Sequence, residues 1–469
     1  MDVAELVDYV EAGMNSYQQL NNQIFNLKAD LNINGHEVKA TIVNNQMYLY
    51  YHDTTQYKVG GAPYTGIKMQ MDYDALLDLA ATGVDLLEID LPEDVRQHIL
   101  GNRVPLDTSV LDALPIPTLD EILASSNVNV NVNILALIKN IQKQGDTLTV
   151  TLSSKELFGD ASMPDTVITV TKANDGSKNV ISAVTVDNTG SGDTSIAVPS
   201  DAASYMDLSS LTTFADSLIK TADLKQYRIT GTINANMSII GIPINANIPM
   251  DFRLKLNADN TVQSAYINLD VPYFIGVLQQ DMTAKVYYED GVLYFDRNWE
   301  TSTGALWWKE YYDHHEYMKC TIDEFMANPM KYVYFCTNFT SMVENAINDA
   351  IAKSDQKAVR TGNIMFEEAL TGFHYNGSNQ WNINLDAAHL INNSDFSDQM
   401  SITVGKSSNG ILNSISLSTR VLDMINLQLN NGQLVNADKS NVDMSVIPTG
   451  LSSNPNYVFG EVKVVETKK

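Results

Sequence analysis

The chain has 469 residues, of which 44% are hydrophobic and only 18% are charged, and its 56 acidic and 30 basic side chains give a formal net charge of −26. This length exceeds what one hydrophobic core usually serves, so we expect more than one domain. The negative charge repels phosphate, which excludes nucleic acid as an expected partner and disfavours direct docking on an anionic membrane. Asn, Ser, Thr and Asp replace the missing charged residues, which suits strands joined by turns.

The first half of the sequence predicts a helix, strands, further short helices and a closing antiparallel meander. Its opening segment places Val3, Val7 and Val10 at helical spacing, and the next segment alternates apolar and polar residues. Asn44-Asn45 and Asp175-Gly176 predict hairpin turns, because these residues tolerate positive φ. The expected elements are a helix at Val3 to Leu20, strands at Phe25 to Ile33 and Met47 to Tyr51, helices at Tyr73 to Ala81, Pro92 to Leu100 and from Thr118, and a meander from Thr147 to Val186.

The second half repeats this order of elements, which predicts an internal duplication. The clearest correspondence joins Thr147 to Leu152 with Gln380 to Leu385, and Ile168 to Lys172 with Ile402 to Lys406. Further matches are a helix at Leu208 to Leu224, strands at Tyr227 to Ala235 and Val292 to Phe295, a helix start at Thr321 that matches Thr118, and Ile415 and Leu417 that match Val184 and Val186. We therefore expect two β-rich domains, residues 1–207 and 208–469.

Both halves thus consist of a helix, strands, one or two short helices and a final meander. This pattern, carried by the segments above, resembles the bacterial lipoprotein-carrier fold shared by LolA, the mycobacterial LppX-type lipoproteins and the RseB sensor domain. The resemblance covers most of the chain without a signature motif, and the duplication departs from a family that is usually one repeat long. It implies an α+β protein with two duplicated, strongly curved antiparallel β-sheets, each a half-barrel covered by helices.

An apolar sheet face has to be covered, and an acyl chain can cover it where helices leave space. The second half carries an insertion from Ile239 to Asp281 that begins with a long alternating apolar face. This face is the candidate wall of a ligand site, although an ordinary protein core explains the same alternation. The candidate ligand-binding residues are Ile242, Ile244, Ile248, Met250, Phe252 and Leu254, together with Trp307 and Trp308 from an aromatic segment further along the chain.

That aromatic segment, Trp307 to Tyr317, also contains two adjacent histidines. His314 and His315 neighbour acidic residues, but adjacent strand residues point to opposite faces and cannot share one ion without a bend. We therefore expect no metal and no cofactor, and assign the segment to an exposed aromatic-rich edge or lid, or else to a ligand or partner contact. The acid pairs Asp120-Glu121 and Asp323-Glu324 fit helix starts. No nucleophile elbow, phosphate loop or zinc spacing occurs in the sequence, so no catalytic residue is assigned.

The cysteines and the start of the sequence leave alternatives open. Cys320 and Cys336 fit either one bridge or two buried thiols. No signal peptide is visible after Met1, which fits either a cytoplasmic protein or a chain from which an export signal was removed. The Asn-, Ser- and Thr-rich composition favours the second. We therefore expect an extracytoplasmic protein of the bacterial cell envelope, held at the membrane only through a lipid anchor upstream of Met1.

Together these points predict an exported, non-enzymatic carrier or sensor that holds a hydrophobic or lipid-like ligand between curved sheet and helices, with envelope proteins as further partners. One alternative is a surface interaction or structural module with fully packed sheets, which acts through protein contacts of residues 53–117 or 299–320. The other is an enzyme, in its simplest form a glycan-active one around Trp307 and Trp308.

Overall fold

The fold is taken from a computed structural model of the chain. The structure describes residues 3–17, 26–33, 35–54, 65–86, 89, 91–107, 134–159, 161–239, 242–259, 261–271, 281–304, 308–337, 341–353, 369–388, 399–421, 425–435 and 442–469. The chain divides into two compact units, Met1–Asp216 and Ser217–Lys469. The predicted α+β class is confirmed, because the described part of each unit contains one large antiparallel-rich sheet and few helices.

The first unit is built on a nine-stranded sheet, counted over its described residues. Its strands are β1 (Asn26–Ile33), β2 (His36–Val43), β3 (Gln46–Asp53), β4 (Ile67–Asp72), β5 (Ile138–Gln144), β6 (Thr147–Leu152), β7 (Thr166–Asn174), β8 (Asn179–Asp187) and β9 (Met206–Asp207), and its helices are α1 (Val3–Tyr17), α2 (Tyr73–Leu86), α3 (Glu93–Leu100), α4 (Ile134–Leu137) and α5 (Ser154–Phe158). The strand order is β5-β6-β7-β8-β1-β2-β3-β4-β9. Two meanders therefore meet where β8 pairs in parallel with β1.

The second unit is built on a twelve-stranded sheet, again counted over described residues. Its strands are β10 (Gln226–Ile239), β11 (Ile242–Leu256), β12 (Val262–Val271), β13 (Met282–Glu289), β14 (Val292–Thr303), β15 (Glu310–Thr321), β16 (Leu370–Tyr375), β17 (Gln380–Leu385), β18 (Met400–Lys406), β19 (Leu412–Val421), β20 (Ile425–Val435) and β21 (Lys463–Lys468). Helix α6 (Leu211–Ala222) contains the boundary between the units, and α7 (Ile322–Ala327), α8 (Pro329–Cys336) and α9 (Ser341–Lys353) follow β15. The order is β16-β17-β18-β19-β20-β10-β11-β12-β13-β14-β15-β21.

Local signals in the sequence are confirmed where the structure describes them. Thr321 begins α7 with a capping box, in which its hydroxyl accepts from the Glu324 amide at 3.1 Å and the Glu324 carboxylate accepts from the Thr321 amide at 2.8 Å. Asn44 and Asn45 turn the chain at φ of 54° and 65°. The helix predicted from Thr118 lies outside the described residues.

The closing meanders of the two units share irregularities at corresponding positions. In β5–β6 the register shifts between Ile138 and Asn140, and in β16–β17 it shifts between Leu370 and Gly372. A second shift occurs at Lys172 between β7 and β8, and at Lys406 between β18 and β19. The correspondence between the two halves of the sequence matches Lys172 with Lys406. It also matches the β6 residues with the β17 residues that lie opposite the first register shift. An extra strand, β20, separates β19 from β10 in the second unit.

The helix that precedes each sheet is attached to it by the same pair of hydrogen bonds. Ser16 Oγ donates to the Ala12 carbonyl at 2.9 Å and accepts from the Ile181 amide at 2.5 Å. Thr221 Oγ1 donates to the Ser217 carbonyl at 2.6 Å and accepts from the Leu412 amide at 2.9 Å. Ile181 and Leu412 each lie three residues before a matched position, Val184 and Ile415. Helices α1 and α6 thus dock at equivalent points of β8 and β19.

Replacing Thr221 by Val is expected to destabilise the second unit by about 1–3 kcal/mol, because it leaves the Leu412 amide unpaired beside a buried apolar group. Urea denaturation followed by circular dichroism measures this effect. Thr221→Ser keeps the hydroxyl and serves as the control, with an expected loss of less than about 1 kcal/mol. Equal stabilities of the two variants would show that the hydrogen bond contributes nothing.

A segment that consists mainly of loop follows the last meander strand of each unit and crosses its sheet, and the segment of the first unit also contains the short strand β9. We call residues 188–209 the first strap and residues 442–460 the second strap. The first strap begins at β1, where the Asn188 side chain bonds both backbone polar groups of Asn32 at 2.7 and 3.1 Å, and it ends at β4. The second strap begins at β10, where the Val442 amide donates to Gln226 Oε1 at 2.8 Å. It ends at β15, where the Gly460 amide donates to the Lys319 carbonyl at 3.0 Å.

Each strap places one tyrosine edge-on against a tyrosine of the sheet. Tyr205 contacts Tyr48 with ring centroids 5.6 Å apart and an interplanar angle of 85°. Tyr457 contacts Tyr294 at 5.2 Å and 83°. Tyr48 and Tyr294 occupy corresponding positions, each three residues after the end of a turn, Asn44-Asn45 in the first unit and Asp290-Gly291 in the second. The straps therefore extend the correspondence between the units beyond the segments that the sequence comparison found.

Candidate functional site

One face of the second unit's sheet is continuously apolar, and we call it the apolar face. Directly opposed residues of neighbouring strands point to the same side of a sheet. Two such rows contain only apolar side chains: Phe373, Ile383, Ile402, Leu417, Leu429, Ile233 and Ile248 form one, and Leu434, Ile229, Phe252, Ile267, Val286, Phe295 and Met318 form the other. The rows together reach from β16 to β15.

Helices α8 and α9 cover one end of this face. Phe295 on β14 stacks on Tyr332 at 5.1 Å and meets Phe335 edge-on at 6.1 Å. Ile347 of α9 and Ile248 of β11 belong to the same buried cluster. Full burial of such side chains contributes about 1.5–3 kcal/mol each, so this end of the face is an ordinary protein core.

The middle of the apolar face is less covered. We call its residues the apolar strip: Ile229, Phe252, Ile267, Ile402, Leu417 and Leu429. All six are half-buried, and none belongs to the buried cluster that the described helices form with the sheet. Apolar side chains that keep partial contact with water gain free energy when a further apolar group covers them.

The structure separates the residues that the sequence predicts for ligand binding. Ile248 lies in the buried core at 5% exposure, whereas Met250, Phe252 and Leu254 are half-buried on the same face of β11. Ile242 and Ile244 belong to β11, but their side chains lie outside the described set, as does Trp307. Trp308 stands in the loop between β14 and β15 with 73% of its surface exposed, away from the strip in sequence and register.

The two adjacent histidines of β15 face opposite sides of the sheet, as their spacing predicts. His314 stacks on Trp299 with ring centroids 5.2 Å apart, and its Nε2 lies 2.6 Å from Thr301 Oγ1. His315 stacks instead on Tyr317 at 5.9 Å. Within the described residues no group of three or more His, Cys, Asp or Glu side chains is placed to hold a metal ion.

The face opposite the apolar face, which we call the outer face, holds a buried polar pair beneath the second strap. Asp296 Oδ1 lies 3.7 Å from His315 Nδ1, and their side chains are 19% and 33% exposed. Both atoms are buried without a hydrogen-bond partner in the described structure. Burial raises the pKa of the Asp296 carboxyl, while His315 and Lys285 offset part of this rise. The sequence singles out His315 as one of two adjacent histidines, but it gives no sign of the contact between His315 and Asp296.

Two open cavities in the described structure have mixed walls that contain many polar groups. One, of about 600 Å³, lies in the first unit and is lined by Asp30, Asn32, Glu37, Lys39, Asn188 and Thr189 among others. The other, of about 540 Å³, lies in the second unit and is lined by residues that include Asn379, Gln380, Lys406, Asn413 and Gln433. Their amide and charged groups suit a hydroxylated or charged small molecule better than an acyl chain.

Cys320 and Cys336 are free thiols and both are buried. Cys336 lies at the end of α8, where burial raises the pKa of its thiol to about 12. The thiolate is the nucleophilic form, so a thiol with a raised pKa is inert at neutral pH. Both cysteines belong to the buried cluster that α8 forms with the sheet, so we assign them a packing role.

No described helix is long and apolar enough to cross a membrane. A scan against models of known protein families finds no match for the chain, and no curated protein is significantly similar to it.

Proposed function

We propose that this protein is a non-enzymatic binding protein that holds a hydrophobic or lipid-like ligand on the apolar strip of its second unit. The observation that carries the proposal is the strip itself: six half-buried apolar side chains in the middle of a sheet face whose end is closed by helices. Covering the strip with an acyl chain contributes about 0.8 kcal/mol for each buried CH₂ group. A ligand of ten methylenes therefore gains up to about 8 kcal/mol from burial, from which the entropic cost of association is subtracted.

The proposal includes that the two units are copies of one ancestral unit, and that each sheet curves around its apolar side as a half-barrel. The shared register shifts, the matched Ser16 and Thr221 hydrogen bonds and the two straps support the duplication. The order of elements supports the resemblance to bacterial lipoprotein carriers. We extend the proposal to an extracytoplasmic location in the cell envelope, which the acidic, Asn- and Ser-rich composition favours.

The test of this proposal is binding of a fluorescent fatty acid. Purified full-length chain, titrated with cis-parinaric acid, is expected to show saturable fluorescence enhancement, and native mass spectrometry of freshly purified protein is expected to show adducts of lipid mass. Phe252→Ser, in the middle of the strip, is expected to weaken binding about tenfold, the equivalent of one lost apolar side-chain contact of roughly 1.4 kcal/mol.

Lys255→Ser is the matched control, because Lys255 is half-buried on the same strand but on the opposite face. It is expected to leave the affinity unchanged. If neither dye uptake nor lipid adducts are seen, the carrier function is wrong. An interaction module is then the better explanation, and the exposed Trp308 and Tyr311 of the β14–β15 hairpin, at 73% and 40% exposure, are the surface it would use.

A further inference from the structure

The second strap covers a polar pair that the first strap does not have. Aligning the units on Tyr48 and Tyr294 places Tyr50 at the position of Asp296. Each of these two residues lies opposite a lysine, Lys39 in the first unit and Lys285 in the second. The repeated framework therefore forms equally well without an acid at this point.

Aligning the neighbouring strands on their strap contacts gives a glycine in place of the histidine. Gly66 stands in the first unit where His315 stands in the second, counted from the strap contacts of Gln70 and Lys319. A side chain at Gly66 would meet the Tyr50 ring at 2.9 Å, so a histidine is sterically incompatible with that arrangement. Asp296 and His315 thus form a pair that the first unit lacks at the equivalent position.

The surroundings of this pair make its protonation state matter. The titratable and charged groups that face it are Lys285 and Tyr287 of β13, Tyr317 of β15, Tyr457 of the strap, and Lys463 of β21, which bonds the strap at the Pro455 carbonyl. A buried carboxylate without a paired charge is destabilising. A proton on the Asp296 carboxyl removes this cost. Without it, the negative charge of Asp296 lies under the strap, and Lys285 compensates only part of it.

We propose that the Asp296–His315 pair makes the second strap a pH-operated latch, which lies closed while the Asp296 carboxyl holds a proton and opens when this carboxyl ionises. Opening lifts Leu451 and Tyr457 from the tyrosines of the outer face, Tyr266, Tyr287 and Tyr294. It also releases the backbone bonds between Lys319 and residues 458–460. The inference concerns the outer face and is independent of the ligand proposed for the apolar strip.

The direction of the pH response follows from the sign of the pKa shift. A carboxyl whose pKa is raised by burial stabilises the closed strap fully at pH values below its ordinary pKa of about 4. This stabilisation is lost as the pH rises through the raised pKa. Burial also raises the pKa of the Tyr287, Tyr317 and Tyr457 phenols, so their ionisation favours opening at alkaline pH. Every shifted group in this cluster therefore acts in the same direction, and a rising pH opens the strap.

Hydrogen–deuterium exchange of the full chain between pH 5 and 9, corrected for the intrinsic pH dependence of exchange, tests the latch. Amides of residues 442–460 are expected to exchange up to about tenfold faster for each pH unit until a plateau is reached, as one released proton requires. The first strap, residues 188–209, is expected to give a flat profile in the same sample. Asp296→Asn is expected to flatten the second strap's profile, whereas Asp443→Asn, at the exposed start of the strap, keeps it.

The wild-type comparison decides the question even if Asp296→Asn fails to fold. A flat second strap, or equal responses of both straps, would overturn the latch. A folded Asp296→Asn variant with the wild-type profile would overturn it as well, because the response would then come from other groups.

Discussion

Replacing Asp251 by Ala is expected to destabilise the second unit by about 3–5 kcal/mol, one of the two largest effects predicted for this chain. Asp251 accepts two hydrogen bonds from Arg228, at 2.9 and 3.0 Å, and another from Arg253 at 2.8 Å. Arg253 is only 8% exposed and also donates to the Asp443 carbonyl at 2.6 Å, which ties the second strap to the sheet. Without the carboxylate, the buried guanidinium keeps an unbalanced charge. Urea denaturation of the full chain measures the loss.

Asp443→Ala is the control for this variant, because the Asp443 side chain is 67% exposed and its carbonyl, which holds Arg253, is retained. Its expected effect is below about 1 kcal/mol.

Acid titration gives an independent check of the Asp251 contribution. Burial alone would raise the pKa of the Asp251 carboxyl, but the hydrogen bonds from Arg228 and Arg253 outweigh it and the pKa is lowered. Its stabilisation is thus present above about pH 4 and lost at lower pH, and Asp251→Ala should reduce this acid sensitivity.

Replacing Trp381 by Ala is expected to cost about 3–5 kcal/mol through the cavity it leaves. Trp381 is fully buried on β17, with the Tyr375 ring 5.2 Å away and Lys406 Nζ 5.1 Å from its centroid. Trp308→Ala is the matched control, because it removes the same side chain from a position that is 73% exposed, with an expected effect within about 0.5 kcal/mol. Thermal unfolding of both variants measures the difference, and similar midpoints would contradict the described burial.

The regular elements and their correspondence could be predicted from the sequence because they rest on local signals. Period-two alternation located β6, β7 and β8 and their partners β17, β18 and β19, and the Thr321 capping box marked the start of α7. The apolar side of β11 was also predictable, since Met250, Phe252 and Leu254 alternate with polar residues. Periodicity alone, however, does not show which apolar residues lie under a helix. Ile248 is buried against α8 and α9 while Phe252 on the same face is half-buried.

The straps could not be predicted, because they have no periodicity and their contacts join distant residues. The pairing of Tyr457 with Tyr294, and of Val442 with Gln226, depends on the order of strands in the sheet. Asp296 and His315 meet only because β14 and β15 are neighbours in a particular register. The two straps share one short sequence pattern, an apolar residue followed by a proline. It is Val198-Pro199 before Tyr205 in the first strap and Ile447-Pro448 before Tyr457 in the second. Such patterns become visible once the strap contacts are known.

The parallel junction between β8 and β1 has a consequence for biosynthesis. During translation β1–β4 leave the ribosome first and can form hairpins at once, because their contacts are local. One edge of β1 then stays without its partner until residues 183–187 have been made. Unpaired strand edges recruit other chains. Nascent chains of the first unit that stop before residue 183 should therefore associate with one another or with chaperones, and those that extend beyond residue 187 should lose this tendency.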